Sequence, residues 1–173
     1  DNSYHRFEVV APGPERCRCE VHWRLGLSVR TVDQQEIWDR AQVTVLEGIP
    51  CLRLAPEDAL LYHVAHQADH FFGPSLKWTI DLRLMFRQWA LDEESLLDQA
   101  SGWRVRTALS LAILCLEKLF PGEAPAGLKD YLGLGRLRRW LVRPFLDSGP
   151  LKMMNVGNGR LPRYVARGLL LDH

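Results

Sequence analysis

No stretch of this chain is apolar for long enough to cross a bilayer, so no membrane partner is expected. A dominant charge is missing too. Twenty-two Lys and Arg stand against 21 Asp and Glu, a net charge of +1, which gives no overall pull toward nucleic acid or an anionic surface. Cysteine is scarce: Cys17, Cys19, Cys51 and Cys115 form neither a CxxC pair nor a zinc-finger spacing. Free thiols in a reducing, cytoplasmic setting are the expectation. The sequence has no HExxH, no internal repeat and no low-complexity tract. It also has no Asp-x-Asp.

What is present is enough for a core. The 173 residues are 47% apolar, which suits a globular chain of one domain. The clearest strand lies at 16–29. One side reads Arg16, Arg18, Glu20, His22, Arg24, and the other reads Cys17, Cys19, Val21, Trp23, Leu25, Leu27, Val29. Strict period two predicts one packed and one polar face, with Glu20 and His22 on the polar one. The run at 4–10 ends in Ala11-Pro12-Gly13-Pro14 and should pair with it as an antiparallel hairpin. A second, smaller hairpin is expected at 42–46 and 49–54 around Glu47-Gly48.

Helical patterns fill much of the rest. A short helix is expected at 33–41, and Asp92 is placed to cap one that runs through residue 100. The span 103–120 is apolar on most sides and should be the buried central helix. A turn of helix is expected at 126–132, an amphipathic basic helix at 134–146, a loop at 148–163 and a last short helix at 164–171. The fold class is α+β: a strand-rich part at 1–54, a helical bundle at 55–147 and a tail at 148–173.

The chain is organised around 56–89, two helices joined by the turn Gly73-Pro74. Pro56, Glu57 and Asp58 open the first helix in the positions its positive end favours. His63, His66 and His70 fall within an arc of roughly 60° on it. Leu61, Val64, Ala65, Ala68, Phe71 and Phe72 make a separate apolar face. The stripe reads either as half-exposed structural histidines or as a ligand surface or metal site, with Asp81 of the second helix as a fourth member. Packing alone does not require three imidazoles on one line.

Three pieces then line up in order. They are Cys19-Glu20-Val21-His22-Trp23-Arg24-Leu25, then Leu54-Ala55-Pro56-Glu57-Asp58-Ala59-Leu60-Leu61 with His66 and His70, then Leu76-Lys77-Trp78-Thr79-Ile80-Asp81-Leu82. Together they resemble the uncharacterised nucleotidyltransferase family of the polymerase-beta-like superfamily. The resemblance implies transfer of a nucleotidyl group from a nucleoside triphosphate to an unknown acceptor, with Mg2+ held by carboxylates. It implies that Glu20 is the later-strand metal carboxylate and that His22, His63, His66, His70 and Asp81 line the substrate surface. The superfamily's Asp-x-Asp pair after a Gly-Ser turn has no counterpart here. The chain is therefore expected to be the rear portion of a longer protein or a descendant without the chemistry, and to be inactive alone. Two other readings stand beside it. One is a non-catalytic interaction module using the basic face Arg136, Arg138, Arg139 and Arg143. The other is a helical-bundle metal protein using His63, His66, His70 and Asp81. Asp69-His70 has the wrong order for a His-Asp phosphohydrolase pair.

Overall fold

A helix apolar on nearly every side can be stable only if other elements surround it. Arg106–Leu119 is that helix, and every residue from Thr107 to Ile113 is buried, as are Cys115 and Leu116. The structure, a computed structural model, describes residues 6–10, 18–22, 32–70 and 76–130, with the backbone alone at 6–8, 18, 20–22, 129 and 130. In chain order the described elements are β1 (Arg6–Val10), β2 (Arg18–His22), α1 (Gln34–Arg40), β3 (Gln42–Leu46), β4 (Ile49–Arg53), α2 (Pro56–Asp69), α3 (Leu76–Gln88), α4 (Glu93–Gly102), α5 (Arg106–Leu119) and α6 (Ala126–Asp130). The class is α+β, as the patterning predicts. Among the described residues no helix is long and apolar enough to cross a membrane.

The core is where α2, α3 and α4 pack around α5. Leu60, Leu61 and Val64 of α2 are fully enclosed, each contributing roughly 1.5–3 kcal/mol of transfer free energy. Leu82 comes from α3, and Leu96 and Ala100 come from α4. Burial pushes the Cys115 thiol up to about 11, so this cysteine behaves as an apolar side chain.

Polar ties join the elements. Asp58, in the first turn of α2, is fully enclosed and receives Arg40 of α1 through two hydrogen bonds of 2.9 Å. That bond holds the Arg40 guanidinium still more firmly protonated. Glu57 accepts the backbone N–H of Asp92 at 2.9 Å, which joins the start of α2 to the start of α4. Asp92 caps α4, accepting from the N–H groups of Glu94 and Ser95, as its position before the helix predicts. After α5, Glu117 accepts from Gly122 and Ala124 and so holds the Pro121-Gly122 turn in place.

Both hairpins form in the expected antiparallel sense. The backbone register of the first pairs Glu8 with Glu20, Val9 with Cys19 and Arg6 with His22. Its expected packed face needs correction, because Cys19 and its partner Val9 are both exposed. A period-two pattern says that two faces differ, not that a neighbour covers one of them. The second hairpin turns through Glu47 and Gly48, with φ of 49° and 81°, the two left-handed residues of a tight hairpin turn. Val43, Val45 and Leu52 on one side of it are exposed. The start of α5 also shifts from the expectation, since Trp103 and Arg104 form the turn before it. The expectations at 4–5, 16–17, 23–29, 71–75, 131–132, 134–146, 148–163 and 164–171 lie outside the described residues, and with them the Arg136–Arg143 face.

Candidate functional site

α2 and α3 run side by side, and their contact carries the histidine stripe. His63 is the half-buried member. Its Nε2 lies 2.9 Å from the backbone oxygen of Trp78 and 2.7 Å from Nε2 of Gln67. The Gln67 amide also donates to the Trp78 oxygen, at 3.1 Å. Three polar atoms thus sit within mutual reach. With its proton on Nδ1, His63 accepts from Gln67 at Nε2; with a proton on Nε2, it donates to the Trp78 oxygen. Burial lowers the His63 pKa, and this outweighs the Trp78 carbonyl and the Asp81 carboxylate, which raise it, while Lys77 lowers it further. The pairing ties α2 to the first turn of α3 and fixes where Trp78 stands.

His66 and His70 are exposed and stand differently. Their rings meet edge to face with centroids 4.6 Å apart. Each also meets the Trp78 indole, His66 at 5.6 Å and His70 at 5.3 Å. Tyr62 approaches His66 at 6.4 Å. The three expected histidines are therefore brought together, through a tryptophan that the sequence reading used only as part of a motif. His70 ends α2 as its C-cap, with its backbone N–H reaching the His66 oxygen.

Asp81 is half-buried one turn beyond Trp78, close enough for its charge to act on His63. The metal reading of His63, His66, His70 and Asp81 is not supported: among the described residues no group of three or more His, Cys, Asp or Glu could hold a metal ion. His63 already spends Nε2 inside the helix pair. The other two expected site residues, Glu20 and His22, lie in β2 opposite Glu8 and Arg6, and their side chains are outside the described residues.

Sequence reasoning missed two contributors. Gln67 sits one helical turn after His63 and is buried, a polar residue where α2 packs. That position was the available signal, since a buried amide needs partners. Arg83 of α3 reaches Glu123 at 2.8 Å and lies over the Phe120 ring at 4.6 Å. This bond holds the Glu123 carboxyl below the usual carboxylate range. It ties α3 to the end of α5 and has no part in the histidine surface.

A family model described as an uncharacterised nucleotidyltransferase matches residues 1–121, which span both hairpins and α1 to α5. No curated protein and no solved structure matches.

Proposed function

Because this chain belongs to the uncharacterised nucleotidyltransferase family, we propose that it supplies one side of a metal-dependent nucleotidyl-transfer site. The carboxylate pair that such transfer needs comes, in this reading, from polypeptide other than these 173 residues. The observation that carries the reading is the family match, which takes in the Glu20 strand and the α2–α3 pair together. The sequence has no Asp-x-Asp, and among the described residues no metal-holding group forms, so the donors described here do not make a metal centre by themselves. No chemical step is therefore routed through a metal on this chain alone.

In this reading Glu20 contributes one carboxylate to the shared centre, where Mg2+ would neutralise phosphate charge. His22, two residues further along β2, is assigned to the same site by the family resemblance. His66 and His70, with Trp78, form the substrate surface, while His63 and Asp81 hold that surface in shape. The nucleoside triphosphate is one substrate, and the acceptor is a second molecule that these residues do not specify.

The test is Glu20→Gln in the complete transfer-competent protein, followed by release of labelled pyrophosphate from a γ-labelled nucleoside triphosphate as the nucleotidyl group passes to the acceptor. Losing one metal carboxylate should lower kcat by on the order of a hundredfold, the scale of several kcal/mol of metal-borne charge stabilisation. A Glu20→Gln protein that transfers at the normal rate removes Glu20 from the site.

A further inference from the structure

The three histidines of α2 do two different jobs. His63 is engaged with Gln67 and the Trp78 carbonyl inside the helix pair. His66 and His70 turn exposed rings outward, backed by the half-buried Trp78 and Tyr62. Resting on the nucleotidyl-transfer reading, we infer that Tyr62, His66, His70 and Trp78 form a stacking surface for the base of the nucleotide. His63 is its positioning residue, acting through the Trp78 backbone.

Shape favours stacking. Three rings lie with centroids 4.6 to 5.6 Å apart and are tilted 49° to 74° to one another, so a base stacked on the face of one ring also meets the edges of its neighbours. Every base has a π-face, and stacking on aromatic side chains tolerates any base. Charge comes second. Lys77 and Asp81 both act on His63 with opposite sign, and Asp69 directly precedes His70. With neutral imidazoles the described residues here gather no excess of positive charge, which favours an uncharged base over a triphosphate as their ligand. The phosphates are then left to be bound elsewhere. Position comes third. The surface lies where α2 meets the first turns of α3, and two side chains of α2 fix that carbonyl, so the indole is held before any ligand arrives.

The experiment is a titration of the 173-residue chain followed by the imidazole carbon-bound proton signals in NMR. The probes are adenosine, guanosine, cytidine, uridine and, separately, inorganic tripolyphosphate. Nucleosides should shift the His66 and His70 signals by ring current and move His63 much less, while tripolyphosphate should leave all three in place. His70→Ala should weaken nucleoside binding roughly tenfold, the effect of removing one stacked ring. His70→Phe keeps a ring and should stay within about threefold of the natural protein. The inference is overturned if tripolyphosphate moves these signals and nucleosides do not, if no nucleoside moves them, or if His70→Phe binds as poorly as His70→Ala. The two readings fail separately. Transfer by the complete protein with an unchanged KM in His70→Ala removes the stacking surface and leaves the transferase. Nucleoside stacking without any transfer by the complete protein does the reverse.

Discussion

Asp58 is the only charged side chain fully enclosed among the described residues, and Arg40 meets it with two parallel bonds. The pair is asymmetric. Arg40 is 36% exposed at its side chain and Asp58 is not exposed at all, so the two losses differ. Removing the arginine strands a carboxylate in the core; removing the carboxylate leaves a guanidinium that water can reach. Arg40→Ala should therefore cost about 2–4 kcal/mol in a urea melt, and more than Asp58→Ala. An equal or reversed order would show that Asp58 finds another partner. His63 offers a second test at this scale. Its pKa is lowered in the folded chain, so the folded state binds that proton less readily than the unfolded one. Its contribution is present above the unfolded value, near 6.5, and is lost as pH falls through the lower folded value. Melting temperatures from pH 7.5 to 5 should fall less steeply for His63→Gln than for the natural chain. Parallel curves would mean that His63 does not titrate across folding.

At the scale of the element, α4 ends in an unusual way. The N–H of Val105 reaches the Ala100 oxygen and that of Arg104 reaches the Ser101 oxygen, the paired bonds of a Schellman ending. The residue in the left-handed position is Arg104, at φ 57°, where glycine is the common choice. Arg104→Gly should relieve that strain and raise stability by about 0.5–1 kcal/mol after the added freedom of the unfolded chain is set against it. A loss of stability would mean that the Arg104 side chain holds something its backbone strain conceals. Local features of this kind divide what was legible from what was not. The Asp92 cap, the apolar face of α2 and both hairpins follow from periods of 3.6 and two, which the neighbouring chain alone determines. Which side of the first hairpin is covered depends on other elements, so Cys19 was misplaced. The Arg40–Asp58 bond joins residues eighteen apart, and in the sequence Asp58 looked like an ordinary acid at a helix start. The histidine stripe was legible as a stripe. Its division into one inward and two outward rings depends on how α3 folds back to offer the Trp78 carbonyl.

For the molecule as a whole, the family match and the missing Asp-x-Asp point the same way. A chain that matches the uncharacterised nucleotidyltransferase family over 1–121 contains no Asp-x-Asp, and the proposed reading places the paired acids on another polypeptide. The helices form a braced scaffold, with ties at Arg40–Asp58, Glu57–Asp92 and Arg83–Glu123, while the bonds of His63 and Gln67 to the Trp78 carbonyl hold the histidine surface in place. In the proposed reading such a scaffold presents a substrate surface without performing the transfer. The most direct test is a transfer assay on the 173-residue chain, with labelled nucleoside triphosphates and Mg2+, alone and then with a polypeptide supplying a Gly-Ser turn and Asp-x-Asp. The chain alone should give no transfer, and transfer should appear once the paired acids are supplied. Magnesium-dependent transfer by the isolated chain would contradict this.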